Sequence, residues 1–404
     1  MKTPKLLLTL PLLVVGLKAQ EADTLTQAIQ DGKPTIDARL RFENAEQDGR
    51  EESDAFTGRI RLGYETGSFA GLKAFVEFEG NTALNDEDDF NPYPQAGKTV
   101  IADPDTAELN RAYLSWSYDN TTINAGRQRI ILDNSRFIGN VGWRQNEQTY
   151  DGVSLTTKAL GDITLSYNWI DQVNRIFGSD APVGGWERLH TNAHAVNAAY
   201  TGLGIGKVSV YNYYLDIENS AGNSSNTYGI SLSGSTPVGA AEDYSLAYYS
   251  EIAEQSDAAD NPTDYDATYY HLSATLSRSP VSIGLGYEVL GSDDGVASFK
   301  TPLATLHKFN GFADVFLNTP AAGLEDFYVV GKYQGFSNTT LALFYHDFES
   351  DEGSTDLGEE WDFVIGYKFN GNWSGTAKYA DYNQGDATSP ADIQRLSFQV
   401  DYKF

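Results

Sequence analysis

A transmembrane antiparallel β-barrel is the fold class this sequence predicts, and three observations predict it. The chain opens on an export signal, no later stretch is apolar enough to span a bilayer as a helix, and the remainder repeats segments of alternating apolar and polar residues. Side chains along a strand point to opposite faces in turn, so each such segment has one apolar and one polar face. A closed sheet of these, apolar outward and polar inward, satisfies every backbone group inside lipid.

The elements follow in chain order. Met1, Lys2 and Lys5 give a positive start, the apolar run 6–17 follows, and Ala19 closes a signal peptide over residues 1–19, with Ala22 the alternative cleavage point. Residues 20–34 form a short periplasmic segment and 35–404 the barrel. In the first strand Ile36, Ala38, Leu40 and Phe42 alternate with Asp37, Arg39, Arg41 and Glu43. In the last, Leu396, Phe398, Val400, Tyr402 and Phe404 alternate with Arg395, Ser397, Gln399, Asp401 and Lys403. Aromatic residues recur at the ends of such runs, where interfacial girdles sit.

Connections alternate in length, which sets the topology. Short turns such as 118–121 and 371–372 alternate with long polar loops such as 81–106. Bacterial barrels keep short turns in the periplasm, long loops outside and an even strand number. With both ends periplasmic the count is 18 strands, provided that 292–325 is one extracellular excursion and 307–317 does not span. Misreading the weak segments 192–200 and 208–214 gives 16 instead. Within the excursion, apolar spacings of three and four residues over 306–316 predict a short amphipathic helix. Its apolar stripe needs cover, so the loop is expected to fold over or into the lumen. Lys300 and Lys308 would then narrow and charge the passage.

Charge and composition exclude other classes. Lys and Arg number 28 against 56 Asp and Glu, a net charge of -28 that argues against nucleic acid. The absence of cysteine removes disulfides and thiolate metal sites. His190 and His194, four residues apart on a strand, lie roughly 13 Å from each other and cannot share a metal. The acidic run 85–89 reads as a solvated loop, with calcium binding through its oxygens the alternative. No Ser/His pair carries a hydrolase signature, so the expectation is no enzyme and no cofactor.

The arginines are clustered. Ten of the 14 lie between Arg39 and Arg144. Arg39, Arg41, Arg59, Arg61, Lys73 and Arg111 share the polar parity and should face the lumen, and Arg395 lies on the strand that closes against the first. Asp37, Glu43, Glu77, Glu79 and Asp401 accompany this basic ladder. Such a wall serves either to read carboxylates through the fixed guanidinium fork or to brace the barrel by ion pairs. Arg127 and Arg129 share parity with lipid-facing Ile123 and Ala125, which is costly at membrane depth. Either a bulge near Gly126 turns them inward or they lie above the bilayer.

The stretches Ala125-Gly126-Arg127-Gln128-Arg129, Arg136-Phe137-Ile138-Gly139, Trp143-Arg144 and Tyr150-Asp151-Gly152-Val153, with the later block 301–314, resemble the alginate-export family of bacterial outer-membrane barrels. The resemblance implies a monomeric 18-stranded barrel that passes a polyanionic sugar chain through an arginine-rich lumen. It adds Arg127, Arg129, Arg136 and Arg144 to the expected pathway. The expected function is an outer-membrane channel for anionic solutes or polysaccharide, in contact with lipid and with the barrel assembly machinery that reads the C-terminal Phe404. A plugged structural barrel or surface adhesin is the alternative, and an outer-membrane hydrolase a weaker one.

Overall fold

The computed structural model describes residues 21–86, 89–239, 243–386 and 389–404. The signal segment 1–19 and Glu87 and Asp88 of the acidic run lie outside the described residues. A six-residue helix, α1 (Leu25–Gln30), is capped by the Thr24 side chain and tied to the first periplasmic turn by Gly67 N donating to Ala28 O at 2.7 Å. No helix among the described residues is long and apolar enough to cross a membrane.

Apart from two short 3-10 turns, strands make up the rest of the regular structure among the described residues. The first nine are β1 (Lys33–Gln47), β2 (Ser53–Glu65), β3 (Leu72–Ala83), β4 (Thr106–Tyr118), β5 (Thr121–Gln128), β6 (Thr149–Leu160), β7 (Ile163–Asn174), β8 (Arg188–Leu203) and β9 (Gly206–Leu215). They continue as β10 (Ser225–Val238), β11 (Tyr244–Asp257), β12 (Asp266–Arg278) and β13 (Val281–Leu290). A small ladder of β14 (Ser292–Asp293) with β15 (Ala297–Ser298) stands apart from the wall. The wall resumes with β16 (Leu324–Tyr333), β17 (Thr339–Glu349), β18 (Asp356–Lys368), β19 (Trp373–Asn383) and β20 (Ile393–Lys403). Consecutive wall strands pair antiparallel and β20 returns to β1, with Phe398 opposite Phe42, so the 18-stranded sheet closes. Segments 192–200 and 208–214 lie within β8 and β9, so the count is 18 and not 16.

The alternation sorts the side chains. Leu40, Ile60, Leu62, Phe78, Leu114 and Phe398 are exposed on the outer face, while Arg41, Arg59, Arg61, Glu77 and Glu79 of the opposite parity are buried inside. Tyr118, Phe369, Trp373 and Phe404 lie exposed at the periplasmic ends, as a girdle requires. Closure leaves no free edge, and the polar face turned inward must find partners there, because a buried charge without one is costly.

One element differs from expectation. The stretch 306–316 is not an amphipathic helix: a single 3-10 turn, Leu306–Lys308, is followed by irregular chain. Asn310, Gly311 and Asp314 all take positive φ, which a right-handed helix cannot contain. Gly311 takes φ +85°, where another residue would be strained, and its Cβ position faces the Glu360 carboxylate of the wall at 2.3 Å. The apolar spacing came from separate pockets, with Phe316 against Phe348 and Phe312 against Phe344, not from one stripe.

Candidate functional site

Two loops enter the lumen and meet there. One is the β5–β6 loop, residues 129–148; the other is the β13–β16 excursion, residues 291–323. They touch in parallel at Ile138 and Leu303. Gly139 N donates to Leu303 O at 2.9 Å, Thr305 N to Ser135 O at 3.0 Å, and Tyr150 from the wall donates its hydroxyl to Gly139 O at 2.6 Å. Gly139 is required by this approach, since a Cβ there would lie 2.3 Å from Thr305 Oγ1. Phe137 wedges the first loop against Tyr211, Tyr269 and Phe299. The two sequence blocks that carry the family resemblance are therefore partners in space.

The arginine wall holds the first loop by its carbonyl oxygens. Arg39 donates to Trp143 O at 2.9 Å and pairs with Asp401 at 2.7 Å. Arg41 donates to Trp143 O and to Gln399 at 2.7 Å, pairs with Asp103 at 3.3 Å and lies over the Trp143 ring. Arg61 pairs with Glu79 and with Glu147 at 3.4 Å, and Arg59 with Asp37. Arg395 donates to Ala313 O at 2.8 Å and meets Glu43 at 3.3 Å. Arg111 forks onto Glu77, with both bonds at 2.8 Å.

Loop arginines complete the set. Arg144 bridges Glu43 at 3.2 Å, Asp314 at 2.9 Å and Asp103 at 3.8 Å. Burial opposes its charge, but the three carboxylates outweigh burial and raise its pKa above the ordinary value. Arg129 pairs with Glu147, whose carboxyl stays ionised well below the usual range: burial opposes this, and Arg61 and Arg129 overcome it.

The adjoining stretch of wall, from β13 to β18, is acidic and holds both loops by their donors. Glu288 of β13 takes Arg136 at 2.8 Å and Asn310 at 2.8 Å, and Asp326 of β16 takes Asn310 at 3.0 Å. Glu360 of β18 accepts Ala313 N at 2.7 Å. At the seam His307 stacks on Trp143 at 4.2 Å and meets Asp314 at 2.8 Å and Lys378 Nζ at 2.9 Å. Complete burial lowers its pKa to about 3, and the neighbouring Lys378 adds to the shift while Asp314 opposes it. The imidazole is therefore neutral, with Nδ1 donating to Asp314 and Nε2 accepting from Lys378.

The expected pathway residues fall into four groups. Arg39, Arg41, Arg59, Arg61, Arg111 and Arg395 lie on the inner face, and Arg129, Arg136 and Arg144 lie on the inserted loop, all within ion pairs. Lys73 faces inward near the periplasmic end of β3, half exposed and 3.0 Å from Glu65. Arg127 is a correction: it keeps the outward parity beside exposed Leu109, near the extracellular end of β5, and forks onto Asp151 at 2.7 and 2.9 Å. Gly126 takes φ +123°, but no bulge falls on β5 to turn Arg127 inward. Lys300 donates to Gly222 O at 2.7 Å and Lys308 to Asn134 O at 2.6 Å. Neither makes an ion pair with a described residue, and burial alone lowers both pKa values.

Sequence reading missed Asp103, Glu147, Lys378 and Arg175. Arg175, in the β7–β8 loop, shares a mouth cavity of about 170 Å³ with Lys300 and has no carboxylate partner among the described residues. Parity could not find the loop residues, although an arginine outside the basic cluster was a signal, whereas Lys378 lies on β19 with the inward parity of Ala380 and Tyr382. His190 and His194 lie on β8, His190 exposed and His194 bonded to the Tyr167 hydroxyl at 2.9 Å. Among the described residues no His, Asp and Glu side chains gather in a metal-binding group.

Comparison with known proteins gives a consistent picture. Residues 35–277 match the family model described as alginate export. No curated protein matches the chain in sequence. Among solved structures, OccAB4 of Acinetobacter baumannii superposes with a TM-score of 0.73 at 14% identity, covering 93% of this chain and 98% of that one. OpdK of Pseudomonas aeruginosa, solved with vanillate, gives 0.70 at 13% identity over 93% and 99%. OccK9 (OpdG) of the same organism gives 0.71 at 17% identity over 93% and 100%.

Proposed function

The chain belongs to the alginate-export family of outer-membrane barrels, and from that premise we propose that it is a narrow channel for anionic solutes, carboxylated sugars among them. The observation that carries this reading is the distribution of charge. The wall arginines are neutralised by Asp103, Glu43, Glu79, Asp401 and the inserted loops, whereas Arg175, Lys300 and Lys308 have no carboxylate partner among the described residues. An incoming anion therefore meets unmatched cations at the mouth and constriction, and braced arginines behind them. The vanillate in the Pseudomonas structure, a small carboxylate, is in keeping with this solute class.

The filled lumen argues against free diffusion. Arg41, Arg136 and Glu360 are at most 1% exposed, so no wide water column runs past them. Reconstituted in planar bilayers, the protein should give small single-channel steps with anion preference. Arg175→Ser with Lys300→Ser should lower the anion-to-cation permeability ratio by several-fold, and more at low salt. Cation preference in the parent, or a ratio untouched by the double change, would overturn the anion reading. The same filling favours a plugged barrel as the second reading. Deleting 299–321 separates the two: a channel conducts before the deletion and more after it, whereas a plug conducts only after it.

A further inference from the structure

Resting on the channel reading for its access, we propose that the inner wall formed by β5–β8 holds a recognition site for the hydroxyl groups of a neutral sugar unit or polyol. The wall arginines and carboxylates of the constriction are paired with one another, whereas several polar atoms of this wall have no partner. A cavity of about 290 Å³ lies beneath the start of the inserted loop, lined by Asn124 and Ser154, Thr156 and Ser166, Asn168 and Asn197. Three side-chain atoms of its lining residues, Asn124 Oδ1, Ser154 Oγ and Asn168 Nδ2, are buried without a hydrogen-bond partner. Asn168 as a whole is 4% exposed.

Unmatched buried polar atoms are costly, and three around one cavity are concentrated there for a reason other than barrel stability. Their chemistry names the ligand. Asn168 Nδ2 donates, Asn124 Oδ1 accepts and Ser154 Oγ does either, so a hydroxyl, which donates and accepts at once, satisfies all three. A carboxylate offers only acceptors and would face the Asn124 oxygen. An ammonium offers only donors and would face Asn168 Nδ2. The two full charges at the cavity edge are already spent: Asp133 on Lys207 at 2.9 Å and Asn197 at 2.5 Å, and Arg129 on Glu147. Ile130, Ile131 and Leu132 roof the cavity and offer an apolar surface for the C–H face of a sugar ring. The volume is at the lower edge of the small-ligand range of about 300–1,000 Å³, which suits the single terminal ring of an oligosaccharide. A carboxylated sugar would thus be read twice, by cations at the mouth and by amides below the constriction.

Calorimetric titration of the full-length protein in detergent tests this without requiring conductance. Maltotriose serves as the neutral probe and trigalacturonate as its carboxylated counterpart. Asn124→Ala with Asn168→Ala should weaken both about ten-fold, the size of one or two lost neutral hydrogen bonds. Arg175→Ser with Lys300→Ser should weaken trigalacturonate alone. The amide variant should keep the parent's heat-modifiable gel mobility; Asn168→Ser is the milder substitute if it does not assemble. Absence of maltotriose binding to the parent, or equal binding by parent and variant, marks a hydrated wall only and overturns the site. A parent that never conducts in bilayers but loses maltotriose on the amide change defeats the channel reading and leaves the hydroxyl site standing.

Discussion

The two walls of the lumen grip their loops with opposite chemistry. On β1, β2 and β20, arginines reach loop carbonyl oxygens: Arg39 to Trp143, Arg61 to Gln145 and Arg395 to Ala313. On β13, β16 and β18, carboxylates receive loop donors: Glu288 takes Arg136, Asp326 takes Asn310 and Glu360 takes Ala313 N. Ala313 is thus held by its carbonyl from β20 and by its N–H from β18, two strands along the same barrel wall. The difference teaches that a strongly charged lumen can be built for support. A guanidinium supplies several donors in fixed directions and can satisfy carbonyls and a carboxylate together, whereas a carboxylate only accepts and must be met by N–H groups.

Breaking the basic side should have the largest effect. Arg144→Ala leaves Glu43, Asp103 and Asp314 buried together without their shared cation. The expected loss is about 3–5 kcal/mol of stability, read as a fall in the urea midpoint of the refolded barrel in lipid vesicles. An unchanged midpoint would mean that these charges are solvated and the loops do not fill the lumen. On the acidic side, Asn310→Ala removes a neutral bridge to Glu288 and Asp326 and should cost less, about 1–3 kcal/mol by the same assay. Equal losses at both sites would erase the asymmetry between the walls.

Acid should loosen the seam between the walls. The folded pKa of His307 is lowered to about 3 by burial and by Lys378, against an ordinary value near 6.5. Between these values the unfolded or released loop binds the extra proton, so stability falls as pH drops through that window. Conductance noise should rise between about pH 6 and pH 4 in the parent and stay flat in His307→Gln. The smallest effect belongs outside the lumen. Arg127→Ser, at the outward rim, should shift stability by at most about 1 kcal/mol and leave ion preference unchanged.

Much of the fold was legible because period-two alternation is a direct consequence of strand geometry. Thr35 to Asn44 shows its faces residue by residue, and the same parity placed Arg39, Arg41, Arg59 and Arg61 inside. The wall partners Asp37, Glu43, Glu77, Glu79 and Asp401 were legible by the same parity, but the loop partners were not. Asp103, Glu147 and Asp314 lie on loops, where no periodicity links sequence position to direction. The helical spacing over 306–316 misled for the same reason: positive φ at Asn310, Gly311 and Asp314 depends on the wall behind them. Arg127 kept its outward parity, but its Asp151 partner comes from the neighbouring strand, and pairing across strands is invisible to spacing along one.

Cross-linking across the loop junction tests the central claim most directly, that two loops meet inside the barrel. Ile138 and Leu303 are paired there, and the chain contains no cysteine, so Ile138→Cys with Leu303→Cys introduces the sole thiols. Mild oxidation of intact cells should join them within one chain and leave single-channel conductance unchanged, because the link fixes an arrangement already present. Two free thiols, both labelled by a membrane-impermeant maleimide after oxidation, would contradict it.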